Sequence, residues 1–189
     1  MTKSLATLFS TLGHPFLLLP FVFSWLTVRS IGWEKAWPSV AAVLGSLVLM
    51  TVFLYFKKQK GEISNWDVSR RQERARNIYQ PILLLIAVVA GVLYYLKQPF
   101  VFATLYFGLM MAVCYAINTR IKISQHTLIA TYVGFLILPL SVWVGAGMLL
   151  FAVGIGWSRV VLGRHQKKEV LLGVAVGALF GAFQTIFIQ

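Results

Sequence analysis

Long apolar runs separated by short polar stretches make up this chain from end to end. A membrane-spanning helix needs about 20 mainly apolar residues, within a range near 17 to 25. The first such run covers about 8–28, interrupted by Gly13-His14-Pro15 and by Pro20. The second, about 38–56, is unbroken, and a polar stretch follows over 57–80. Two runs then stand close together, about 81–96 and 100–117, separated by Lys97-Gln98-Pro99. The segment 127–157 is too long for one crossing and contains Leu-Pro-Leu-Ser at 138–141, so it reads as two short helices turning near Ser141. The last run is about 170–188. This pattern predicts an all-α, polytopic transmembrane bundle of seven helices, or six if the proline-broken first run only dips into the interface. Residues 1–189 are expected to form a single integral membrane domain, with polar loops at about 57–80, 118–126 and 158–169. Arg29 and Trp33, rather than a small-residue cleavage site, follow the first run, so it reads as a retained membrane segment.

Composition agrees and removes several alternatives. Of 189 residues 59% are apolar and 12% are charged, against about 25% charged in an ordinary soluble domain. The mean hydropathy is +0.80. A disordered chain, a collagen, a coiled coil and a soluble enzyme of normal surface are excluded. The single cysteine, Cys114, rules out an intrachain disulfide. All six tryptophans sit near expected helix ends, as an aromatic belt requires.

The charge is lopsided, with 17 Lys plus Arg against 5 Asp plus Glu, a formal +12. With seven crossings, one membrane face holds every cation except Arg29, Lys35 and Lys97. The positive-inside rule makes that face cytoplasmic. Cations confined to short loops at one face argue against a nucleic-acid partner and for anionic lipid or a phosphate-bearing substrate.

Three polar clusters fall on that face: Asp67 to Arg76, Lys122-Ile-Ser-Gln-His126, and Ser158 to Glu169. His165 and Glu169 are four apart, one turn apart on a helix that has begun. A carboxylate so placed holds one imidazole nitrogen protonated and leaves the other free as a nucleophile or base. Arg159 offers a planar fork for phosphate oxygens. His126 suits a general acid, Ser124 adds a hydroxyl, and a helix starting near His126 aims N–H groups at an anion. Five carboxylates in the whole chain leave too few oxygens for a magnesium site, so no metal or other cofactor is expected. The plainer alternatives are a basic helix end snorkelling to headgroups for Arg159 and His165, a helix cap for Ser124, and a topology signal for Arg70, Arg71, Arg74 and Arg76. His14 and Glu34 read as structural.

Ser158-Arg159, five residues, His165, three residues, Glu169-Val170 and then Gly173 resembles the third signature of the type-2 phosphatidate phosphatase and vanadium haloperoxidase superfamily. Lys122-Ile-Ser124-Gln-His126 resembles the second, in the form found in divergent bacterial members. Arg71-Gln-Glu-Arg74 is similar to that branch's version of the first, and the early His14-Pro15 with Pro20 also resembles that branch. The resemblance implies an integral lipid phosphatase of a bacterial inner membrane. It implies His165 as nucleophile, Glu169 as the acid that orients it and His126 as proton donor. Ser124, Arg159, Arg74, Arg71 and Lys122 are implied as phosphate ligands. Glu169 stands where the family has Asp, and Gln125 where it has Gly. The implied substrate is a lipid phosphate or diphosphate, of polyprenyl or phosphatidate type; family sites commonly face outward, whereas the charge count puts this one inside. The alternative is a non-catalytic membrane protein that binds or moves an anionic lipid or phosphorylated solute. Gly173, Gly177 and Gly181 form a small-residue stripe, expected to serve helix packing within the chain or, less simply, a homodimer.

Overall fold

A computed structural model describes residues 2–66, 68 and 70–187. Asp67 of the first polar cluster lies outside the described residues. The described residues form helices joined by turns and loops, in the order α1 (Thr2–Leu12), α2 (Pro15–Ile31), α3 (Trp33–Gln59), α4 (Arg71–Arg74), α5 (Gln80–Tyr95), α6 (Val101–Asn118), α7 (Gln125–Ile137), α8 (Val142–Val161) and α9 (Lys167–Phe187). A π-helical turn at Ala75–Tyr79 joins α4 to α5, making Arg71–Tyr95 one continuous span. Five helices are long and apolar enough to cross a membrane, and the bent pair α1–α2 makes a sixth if it is one span. The protein is thus a multi-pass helical membrane protein.

Each expected run is helical, but two details differ from the sequence reading. The first run breaks only at Gly13-His14-Pro15, where α1 and α2 meet at 44°. Pro20 lies inside α2 without ending it, because the loss of one N–H bond is tolerated within a span when neighbouring groups re-satisfy the backbone. The segment 127–157 does split at the expected turn, with Ser141 capping α8 by accepting the Val144 N–H. Its first half, α7, has only 13 residues. At 1.5 Å per residue it is about 20 Å long, short of the ~30 Å hydrocarbon thickness.

The chain divides into two compact units, 1–22 with 121–189, and 23–120. In the first unit α7 is the centre, buried along nearly its whole length. Helix α9 packs on it through the glycine stripe. A Cβ on Gly173 would stand 2.6 Å from the Ser124 carbonyl oxygen, and one on Gly177 closer still to that of Leu128. The small-residue stripe is therefore used for backbone contact within the chain. Tyr132 Oη donates to Gln184 Oε1, and Thr185 Oγ1 bonds the Phe135 carbonyl at 3.1 Å. On the opposite side Ala130, Ala152 and Ile155 form a buried cluster that Leu18 and Phe151 complete. Helix α1 lies on α8, with the Phe9 ring over Gly154 and Gly13 closing on Ile155.

In the second unit α5 packs between α3 and α6. Ser39 Oγ donates to Gln98 Oε1 at 3.0 Å, and Tyr79 stacks on Tyr115 with centroids 5.6 Å apart. In the last turn of α3, the Lys57 ammonium donates to Glu62 beyond the helix and holds that exposed carboxyl below its usual range. Large apolar side chains such as Tyr94, Phe102, Trp143 and Leu150 stand exposed, as a lipid solvent requires rather than water.

Candidate active site

The loop between α8 and α9 is built to present one imidazole. Helix α8 ends at Val161, and Gly163 takes a left-handed conformation with φ +66°, the usual way to terminate a helix without a Cβ clash. The chain then curls so that the Arg159 carbonyl accepts both the Arg164 N–H (3.0 Å) and the His165 N–H (3.1 Å). His165 therefore precedes α9 rather than riding on it, contrary to the simplest reading of the four-residue spacing. The pair with Glu169 still forms. Glu169 occupies the third position of α9, and its Oε2 accepts the Gln166 N–H at 3.1 Å. A Glu here reaches back to the residue before the helix, one half of a capping box. The same oxygen accepts from His165 Nδ1 at 2.8 Å. An ionised carboxylate only accepts, so in the neutral imidazole this contact favours the tautomer with its proton on Nδ1 and its lone pair on Nε2.

The second cluster is stitched to this loop. Lys122 Nζ donates to the Arg164 carbonyl at 2.6 Å, and the Ser124 N–H to the Glu169 carbonyl at 3.1 Å. Ser124 is the residue before α7, yet its hydroxyl does not cap the helix; it pairs with Thr127 Oγ1 at 2.9 Å. His126 is the second residue of α7 and is buried, as are Ser124, Ser158, Arg159 and His165. Arg159, near the end of α8 and 2% exposed, donates from Nη1 to Ser10 Oγ at 2.6 Å. Within this unit Glu169 is the one carboxylate side chain among Lys3, Lys122, Arg159, Arg164, Lys167 and Lys168. That imbalance, with the N-terminus of α7, favours a bound anion. Among the described residues no three His, Cys, Asp or Glu gather as metal ligands would.

Two residues of α1 and the break after it, outside the second and third motifs, touch this cluster. Besides Ser10, the His14 ring meets the His126 ring edge to face, centroids 5.0 Å apart and planes at 84°. Sequence reading left His14 as structural, since its partner is more than a hundred residues away.

Arg71 and Arg74 belong to the second unit. Arg71 Nη1 donates to the Arg120 carbonyl, and Asn118 Nδ2 to the Arg71 carbonyl at 3.0 Å. Arg74 is buried, with Nε 3.4 Å from the Val68 carbonyl. Arg71 opens α4 and Arg74 ends it where the π-turn begins, a distortion of the kind often found at functional positions.

Fold and cluster together define a polytopic helical membrane protein with a buried, cation-rich pair of histidines. Residues 103–189 match the family model of the PAP2 superfamily. The motif-based resemblance agrees with that match, and both the 122–126 and 158–169 clusters lie within the matched residues. The match leaves 1–102, with Ser10, His14, Arg71 and Arg74, outside it. No curated protein and no solved structure matches the chain.

Proposed function

We propose that the protein is an integral membrane phosphatase that hydrolyses a lipid phosphate or diphosphate through a phosphohistidine intermediate. The observation that carries this reading is the 2.8 Å bond from His165 Nδ1 to the Glu169 carboxylate. It orients the ring, stabilises the imidazolium-like charge that develops on attack, and leaves Nε2 as nucleophile. Nε2 attacks phosphorus and the bond to the lipid oxygen breaks, while protonated His126 gives its proton to that leaving oxygen. The phosphoryl group is then held on Nε2. Water attacks next: His126, now neutral, takes the water proton, the P–N bond breaks, and inorganic phosphate leaves with His165 restored. Arg159 and the α7 N-terminus neutralise the non-bridging oxygens, and Ser124 lies beside that helix start. Lys122 adds positive charge while its bond to Arg164 holds the His165 loop. Arg71 and Arg74 enter this reading through motif resemblance alone.

The test is direct. Purified protein in detergent is expected to release inorganic phosphate from phosphatidate or a polyprenyl phosphate, with vanadate as inhibitor. His165→Ala is expected to lose at least about a thousandfold in kcat, the scale of losing a nucleophile. Rapid quench should trap a phosphoenzyme stable to alkali and labile to acid. Full activity in His165→Ala overturns the mechanism. Retained lipid binding or vesicle flux in an enzyme that releases no phosphate points instead to a binding or transport protein.

A further inference from the structure

The bend between α1 and α2 brings a third histidine to the cluster. Pro15 starts α2, and the residue before it, His14, acts as the cap: its Nδ1 accepts the Phe16 N–H at 3.3 Å. A neutral imidazole accepting at Nδ1 carries its proton on Nε2. The His14 ring is further set by the Phe16 ring, T-shaped at 5.4 Å. The whole arm is fixed against α8. Phe9 packs over Gly154, Gly13 closes on Ile155, and Ser10 Oγ accepts a hydrogen bond from Arg159 Nη1 at 2.6 Å. In that fixed position His14 meets His126 edge to face at 5.0 Å. The arm thus touches the two groups to which the phosphatase reading assigns phosphate binding and proton donation.

Resting on that reading, we propose that His14 is a positioning residue for the proton-donation step, holding the His126 imidazole so that its proton meets the leaving oxygen. A ring free to turn about its own side-chain bonds spends less time in a productive hydrogen-bond geometry, and general acid catalysis depends on that geometry before it depends on acidity. His126 lies within the family-matched residues and His14 does not, so the contact between them comes from tertiary packing. Up to the phosphoenzyme, the part of the cycle that kcat/KM reads, its effect is specific: it concerns the leaving oxygen and not the attack by His165.

Leaving groups separate the two steps. Phosphatidate in mixed micelles departs as an alkoxide and needs the proton; p-nitrophenyl phosphate departs as a phenolate and does not. His14→Asn removes the ring but keeps a side-chain oxygen able to take the Phe16 N–H, so the start of α2 is preserved; His14→Gln is the second variant should Asn fold poorly. The expected result is that kcat/KM for phosphatidate falls about tenfold further than that for p-nitrophenyl phosphate. His126→Ala should show the same split on the larger scale of a lost general acid, about 10²- to 10⁴-fold. Equal losses on both substrates, as a purely structural role predicts, or no loss on either, overturn the role of His14. His165→Ala, assayed alongside, separates the two failures. Activity surviving there overturns the phosphatase reading itself, whereas an inactive His165→Ala with an unsplit His14→Asn overturns only this inference.

Discussion

Glu169 Oε2 takes two hydrogen bonds at once, from His165 Nδ1 and from the Gln166 N–H. One orients the proposed nucleophile and the other closes the start of a helix, so substitutions there separate chemistry from stability. Glu169→Gln keeps an oxygen for the Gln166 N–H but removes the charge that stabilises the imidazolium form of His165. Its kcat is expected to fall between about 10- and 10⁴-fold, the upper figure being the scale of neutralising a triad carboxylate, while its melting temperature stays near the parent's. Glu169→Ala loses both bonds, so an added loss of about 1 kcal/mol is expected from the cap. Steady-state kinetics and thermal melts on the two variants check this; an unchanged kcat in Glu169→Gln overturns the orienting role. At this scale the pair was legible in the sequence, because residues 165 and 169 meet through local geometry. The second bond was not, since the spacing alone does not say that α9 begins at Lys167. His14 was illegible for a stronger reason: only tertiary packing joins it to His126.

Among the elements, α7 and α9 make the closest pairing, and glycine permits it. The Cβ of Gly177→Ala would run into the Leu128 carbonyl oxygen, with backbone rather than a movable side-chain tip in the way. The helices must separate, and overpacking of this kind costs about 1 to 3 kcal/mol. Gly147, exposed on α8 with nothing within 4 Å of where a Cβ would stand, is the control: Gly147→Ala is expected to be neutral or slightly stabilising, since Ala favours the helix. Denaturation in detergent micelles should rank the two variants in that order, and equal stabilities would remove the close-packing argument. The loss should extend to activity, because the same helix pair carries the Ser124 N–H to Glu169 carbonyl bond. The glycine period was visible in the sequence and its use was not. The apolar run 127–157 gave two short helices and the turn at Ser141, but α7, counted there as a crossing, falls short of a span, because hydropathy does not distinguish a lipid-facing span from a helix enclosed by its neighbours. The opposite happened at Pro20, where a residue that ends helices in water sits inside α2.

For the molecule as a whole, orientation in the membrane is the property its charge is best placed to set. Helix α3 is the cleanest span, 27 residues from Trp33 to Gln59. Its two ends differ sharply. Arg29 and Lys35 stand near the first, with Arg29 resting over the Trp25 ring at 5.8 Å. Lys57, Lys58 and Lys60 close the second, and Arg70, Arg71, Arg74 and Arg76 follow before the next span is under way. The positive-inside rule counts Lys and Arg near span ends and gives little weight to acids, so the second end is expected in the cytoplasm. Setting aside Arg70, Arg71, Arg74 and Arg76 as candidate substrate ligands still leaves three cations against two. Cysteine labelling reads this cleanly, because the native Cys114 is fully buried. Glu34 and Lys60 are both exposed and lie at opposite ends of the helix. A membrane-impermeant maleimide is expected to label Glu34→Cys in intact cells and Lys60→Cys only after the membrane is opened. The reverse pattern would place the basic end outside, and would mean that its arginines are kept for a ligand there and not for orientation.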